Sequence, residues 1–91
     1  MTVSVRVPTQ LRNLTGGDAE VVVEASTVGE ALKAVDVAHP GLGERVFDEK
    51  GDLRRFVNVF VADEDVRFRE GLATPVQEGQ TVSIVPAVAG G

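Results

Sequence analysis

The chemistry this chain can offer is concentrated in its last two residues. Gly90 and Gly91 close the sequence and follow the uncharged run Val85-Pro86-Ala87-Val88-Ala89. At ordinary glycine usage, two glycines fall at the last two positions by chance in roughly 0.5% of chains. A tail of this kind can thread a narrow channel and present its α-carboxylate to another enzyme. Glycine carries no Cβ, so the backbone can approach a ligand closely and take φ > 0 where a channel demands it. The five residues after Pro86 reach at most roughly 17 Å when extended, and Val88 and Ala89 add apolar grip without charge. The expected working group is therefore the Gly91 carboxylate, with Gly90 beside it. A simple frayed end fits poorly with a tail that is uncharged and closes on Gly-Gly.

The rest of the chain excludes most other chemistry. It has no Cys, which removes disulfides, thiolate metal sites, iron–sulfur clusters and thiol nucleophiles together. A single histidine, His39, cannot supply a His-based metal cluster; next to Pro40 it reads as a helix-end residue favoured by the dipole. Asp63-Glu64-Asp65 reads as a solvated turn, with a role in meeting a basic partner surface left open. It lacks the further ligands a metal would need. Gly16-Gly17 sits in a turn with no phosphate-loop Lys-Ser/Thr after it, and no catalytic triad is visible. The expectation is a protein that is not itself an enzyme and holds no metal and no bound cofactor.

Net charge is −5, from 14 acidic and 9 basic residues, with no Tyr or Trp. This balance disfavours nucleic acid, which is met by a basic face and stacking aromatics. No apolar run approaches the ~20 residues of a membrane span, and the N-terminus lacks the regions of a signal peptide, so a soluble, cytoplasmic protein without a membrane partner is expected. The 91 residues suffice for one domain, read as residues 1–86 with a tail at 87–91, and a monomer is expected when the protein stands alone.

The elements that must position the tail follow from periodicity. Thr2 to Val7 and Ala19 to Glu24 alternate apolar and polar residues and form a hairpin whose loop, marked by Thr15-Gly16-Gly17-Asp18, is longer than a tight turn; Leu11 and Leu14 dip into the core from it. Thr27 and Glu30 fit a capping box, followed by the helical stripe Val28, Ala31, Leu32, Val35 and Ala38, which His39-Pro40-Gly41 stops. Leu42, Val46 and Phe47 fit a short helical turn. Phe56 to Ala62 is the strongest strand, Asp63-Glu64-Asp65 turns it, and Val66 to Phe68 reads as a short return strand. Thr81 to Val85 is the last strand, with Val82 and Ile84 inward. Gly29, inside the helix, costs about 1 kcal/mol against Ala, and the sequence offers no account of it. The order predicts an α+β, ubiquitin-like β-grasp: a mixed sheet of four to five strands, one main helix on one face, and the first and last strands side by side in parallel.

Alternation puts Phe56, Asn58 and Phe60 on the face opposite the inward valines, with Val85 beside them and Ser4 and Arg6 next to it. Clustered exposed apolar residues mark partner sites, so Phe56, Asn58, Phe60 and Val85, with Val88 and Ala89 of the tail, are the candidate partner-binding residues. Burial of Phe56 or Phe60 under the loop Gly43 to Phe47 is the competing expectation.

Several stretches carry a family resemblance. They are Val3 to Pro8, Thr15-Gly16-Gly17, Arg55-Phe56-Val57-Asn58-Val59-Phe60-Val61, Asp63 to Phe68, Gly71-Leu72-Ala73-Thr74 and, most of all, Val82-Ser83-Ile84-Val85-Pro86-Ala87-Val88-Ala89-Gly90-Gly91. Together they resemble the MoaD/ThiS group of small sulfur-carrier proteins, in particular its members that serve an alternative route of cysteine biosynthesis. The resemblance covers nearly the whole chain and is densest in its last third. It implies that an E1-like activating enzyme of the MoeB/ThiF type adenylates the Gly91 carboxylate with ATP, used in trans, and that a sulfur donor displaces AMP to leave a thiocarboxylate. It implies a sulfur-accepting synthase as second partner, either cysteine synthase-like or acting on a molybdopterin precursor, a thiazole precursor or a secondary metabolite. In the cysteine route it also implies a metalloprotease that frees the product from its protein adduct. Three readings stay beside it: a ubiquitin-like modifier joined through Gly91 to lysines, a MoaD-like small subunit of molybdopterin synthase, and a scaffold that regulates a synthase without needing its tail. Lys33 and Lys50 are the only lysines, which makes chains of the protein on itself awkward.

Overall fold

Valine alternating with polar residues builds one face of a sheet, and a short helix covers that face. The computed structural model describes residues 1–55 and 57–86. Its strands are β1 (Thr2–Arg6), β2 (Glu20–Glu24), β3 (Val57–Val61), β4 (Glu64–Asp65) and β5 (Thr81–Pro86), and its helices are α1 (Val28–Ala38) and α2 (Leu42–Val46). The order across the sheet is β2-β1-β5-β3-β4. β1 runs parallel to β5, with Val5 beside Val82 and Arg6 beside Ser83, and the remaining pairs are antiparallel. This is the expected β-grasp arrangement, with five strands.

The inward valines all reach the core. Val3 and Val5 of β1, Val57, Val59 and Val61 of β3, and Val82 and Ile84 of β5 are buried against Val28, Ala31, Leu32 and Val35 of α1. Each such side chain stabilises the fold by about 1.5–3 kcal/mol relative to remaining exposed. The 3-10 helix Thr9–Thr15 between β1 and β2 carries Leu11 and Leu14 against this cluster, as their spacing suggested.

The start of α1 is fixed as predicted, with one shift. The Thr27 hydroxyl accepts from the Glu30 N–H at 3.2 Å, but Glu30 Oε1 accepts from the N–H of Ser26 at 2.9 Å, one residue before the N-cap itself. The helix start is also sewn to the later loop, because the Val28 N–H donates to Thr74 O and the Val76 N–H to Ser26 O, both at 3.0 Å. That proximity accounts for Gly29. A Cβ there would stand 3.1 Å from Leu72 O and 3.3 Å from Leu72 Cβ, so the helix gives up propensity to let the Gly71–Ala73 turn approach. Gly43 answers a similar constraint. Its N–H donates to Asp36 Oδ1 at 2.8 Å, and a Cβ would lie 2.8 Å from the Asp36 carboxyl carbon. Asp36 of α1 thus caps the first turn of α2 across the interhelix turn.

One element differs from expectation. Val66–Phe68 is a 3-10 turn rather than a return strand; the return strand is the two-residue β4, Glu64–Asp65, pairing with Val61 and Phe60. The loop before it is only Ala62-Asp63, both at positive φ (53° and 66°). Such tight hairpin loops match the strand twist but require the left-handed region, which alternation alone does not signal when the residues are Ala and Asp. The Asp65 carboxylate then accepts from the Arg67 N–H at 2.8 Å and bends the chain out of the strand.

Two stability outcomes follow. Replacing Ala62-Asp63 by Asn-Gly lowers the left-handed cost, since Asn tolerates positive φ better than Ala and Gly at 63 has no Cβ, and the urea midpoint should rise by the equivalent of about 1 kcal/mol with an unchanged m-value. Thr27→Ala removes the α1 cap and should lower stability by about 1 kcal/mol in the same measurement.

Candidate docking face and tail root

The pleat decides which side chains face away from α1. Ser4 and Arg6 of β1, Thr81, Ser83 and Val85 of β5, and Asn58 and Phe60 of β3 share the uncovered face, with Asn58 beside Val85 and Phe60 beside Ser83. Val85 is 43% exposed, while Phe60 and Asn58 are half-buried. Phe60 lines a groove of about 340 Å³ with Arg6, Ala62, Asp63, Gln80, Thr81 and Ser83. The segment expected as its alternative cover, Gly43 to Phe47, packs instead on α1, and Phe47 rests against the core. Phe60 is therefore flanked by strand neighbours and not roofed by that loop.

Asn58 is held by a residue to which the sequence assigned no role. Arg67 donates from Nη1 to Asn58 Oδ1 at 2.8 Å and from Nη2 to Arg54 O at 2.6 Å. Its guanidinium thus lies across the outer surface of β3 next to Val85. The face is accordingly mixed: Phe60 and Val85 sit among Arg6, Arg67, Ser83 and Asn58. The most exposed large apolar side chain among the described residues is Phe68, 85% exposed in the 3-10 turn. Only knowledge that this segment leaves the sheet reveals it. The Asp63-Glu64-Asp65 run is divided by the hairpin: Asp63 occupies the turn, Glu64 pairs with Arg69 at 3.5 Å, and Asp65 caps the next turn.

The last described residue, Pro86, pairs with Val57 at the start of β3. Beside this point a groove of about 480 Å³ is lined by Arg6, Val7 to Gln10, Arg12 and Ser83 to Val85. Phe56, Val88, Ala89, Gly90 and Gly91 lie outside the described residues. Among the described residues no group of His, Cys, Asp or Glu is placed to hold a metal ion, and no helix is long and apolar enough to cross a membrane.

Known proteins share this arrangement. The sequence profile of the ThiS family matches residues 5–91. The sulfur carrier protein CysO of Mycobacterium tuberculosis is 46% identical, and the match spans all of both chains. Among solved structures, CysO in the Amycolatopsis orientalis BexX/CysO complex is similar with a TM-score of 0.91 and 47% identity, over 98% of this chain and 99% of that one. SAMP1 from Haloferax volcanii, 30% identical, superposes with a TM-score of 0.84 over the whole of both chains. A profile match running from β1 through Gly91, on a five-stranded β-grasp whose last strand lies between β1 and β3, makes this chain a member of the ThiS family of small ubiquitin-like proteins.

Proposed function

We propose that the protein is a sulfur carrier whose Gly91 carboxylate is converted to a thiocarboxylate, and that it acts as a co-substrate rather than as a catalyst. The observation that carries this reading is the full-length match to CysO together with a family match that runs through Gly91. The BexX/CysO complex, in which a similar protein is bound to another chain, supports a role exercised on a partner.

A carboxylate is a poor electrophile because its charge is delocalised and its oxygen leaves badly. In a MoeB/ThiF-type enzyme a Gly91 oxygen attacks the α-phosphorus of ATP and pyrophosphate departs, giving an acyl adenylate. Hydrosulfide, or its equivalent on a donor, then adds to the acyl carbon. The C–S bond forms, the C–O bond to AMP breaks, and the sulfur's proton is lost to solvent or base. The thiocarboxylate places nucleophilicity on a soft sulfur that cannot diffuse away. In the cysteine route that sulfur bonds to the β-carbon of an activated serine on a cysteine synthase-like enzyme as the β C–O bond breaks and the activating group departs. A metalloprotease then hydrolyses the acyl link of the adduct, releasing the product and restoring the Gly91 carboxylate. The docking surface in this reading is the uncovered sheet face at Phe60, Asn58 and Val85, together with Phe56, Val88 and Ala89. ATP and any metal belong to the partners.

The likeness to SAMP1, a small archaeal modifier protein, favours one second reading: attachment of Gly91 to lysines of other proteins. It shares the adenylate and diverges at the nucleophile.

Incubation of the full chain with a MoeB/ThiF-type enzyme, ATP and sulfide should shift its intact mass by the difference between sulfur and oxygen, and deletion of Gly91 should abolish the shift. Adducts on lysines without that shift would establish the modifier instead. Phe60→Asp should slow thiocarboxylate formation about tenfold through weaker docking while leaving the urea midpoint close to wild type. An unchanged rate removes Phe60 from the docking surface.

A further inference from the structure

The charges of this chain are unevenly placed. The formal charge is −5, yet four of the nine basic side chains gather where β5 ends. On the β1 side, Arg6 stands beside Ser83, and Arg6 and Arg12 line the groove against Val85. Arg12 is oriented by its Nε, which donates to Val7 O at 3.1 Å. On the β3 side, exposed Arg55 precedes Val57, the partner of Pro86, and Arg67 reaches back to Asn58, the partner of Val85, whereas Arg54 turns away to α2, its Nε donating to Glu44 O at 2.8 Å.

These guanidinium groups are not neutralised locally. Among the described residues the ion pairs within 4 Å are Met1–Glu24 and Arg69–Glu64, and neither involves the four. Glu20 stands opposite Arg6 in the β1–β2 register but forms no such pair. Asp48 shares a groove with Arg54 and Arg55, but its Oδ1 already accepts from the N–H groups of Lys50 and Asp52 at 2.8 and 3.0 Å.

We propose that Arg6, Arg12, Arg55 and Arg67 form a basic collar around the root of the tail, and that it docks on acidic side chains at the mouth of the activating enzyme's channel. This rests on the sulfur-carrier reading. The occupant follows from reach and charge. The nucleotide reacts at Gly91, five residues beyond Pro86 and up to roughly 17 Å away along an extended chain, so its phosphates lie outside the collar in the engaged complex. A nucleic acid would meet an otherwise acidic surface, at −5 overall. A protein rim bearing carboxylates meets only the collar. A positive end on a negative body also orients the encounter, so the chain approaches tail first, at a rate that falls as salt screens the field.

The test measures binding of the full-length chain to a MoeB/ThiF-type enzyme from the same organism, by fluorescence anisotropy without ATP. Arg6→Glu and Arg55→Glu are the variants, because neither side chain makes a hydrogen bond among the described residues. Lys33→Glu, exposed on α1, applies the same charge change far from the collar. Each collar variant should raise Kd at least about fivefold at low ionic strength, and the gap should narrow to about twofold near ~0.5 M salt; Lys33→Glu should stay within about twofold throughout. Arg6→Gln and Arg55→Gln should give intermediate values with an unchanged urea midpoint.

Absence of wild-type binding, an equal effect of Lys33→Glu, or a salt-independent loss would overturn the collar. Tighter binding of a Gly91-amidated chain, lost in Arg6→Glu, would seat the protein's own carboxylate on the arginines and also overturn it. The mass shift with sulfide reports separately on the carrier reading. Collar-dependent binding without sulfur gain rejects that reading alone, and sulfur gain without collar-dependent binding rejects the collar alone.

Discussion

The structure depends on the hydrogen-bonded placement of β5 between β1 and β3. A strand in the middle of a sheet has both edges paired, so its backbone cannot shift without breaking two ladders. Because β5 is the last strand, the point at which the chain passes Pro86 is fixed relative to every residue of the sheet. A chain end on an edge strand would fray. Here the β1 ladder reaches Ser83 and the β3 ladder carries on to Pro86, immediately before the residues proposed to do the chemistry.

The two faces of that sheet divide the work. The inward face is filled almost entirely by valine and closed by α1, with Gly29 admitting the Gly71–Ala73 turn against the helix. Small β-branched side chains have few rotamers and pack tightly on a pleated surface, which gives a 91-residue chain a packed core without disulfides. The outward face is not covered by α1. It combines one half-buried aromatic, Phe60, and a partly exposed Val85 with arginines whose positions are set by backbone carbonyls and by Asn58. In the proposed docking, apolar contact there supplies affinity and the guanidinium groups supply direction.

Much of this was legible in the residues. Period-two valines gave the strands and their inward faces. Thr27 and Glu30 gave the start of α1, and the order of elements gave the parallel contact between the first and last strands. The misreading at Val66–Phe68 has a definite cause. Alternation over three residues does not separate a strand from a 3-10 turn, and the deciding event, an Ala-Asp loop at positive φ followed by the Asp65 cap, leaves no distinctive composition. Phe68 was hidden for the same reason, since its exposure follows from the segment leaving the sheet. Arg67 sat in plain view within a recognised stretch, but its contacts with Asn58 and the Arg54 carbonyl join residues nine and thirteen positions away.

The sequence by itself determined the apolar pattern, the helix cap, the lack of cysteine and the Gly90-Gly91 pair after an uncharged run. These are local properties, set by residue type and spacing along one dimension. Tertiary structure alone decided that Arg6, Arg12, Arg55 and Arg67 lie around the end of one strand, that Gly43 to Phe47 covers the helix and leaves Phe60 to the sheet face, and that Gly29 admits a turn more than forty residues away. Such proximities arise from strand pairing and core burial, which bring distant positions together for reasons that no single segment carries.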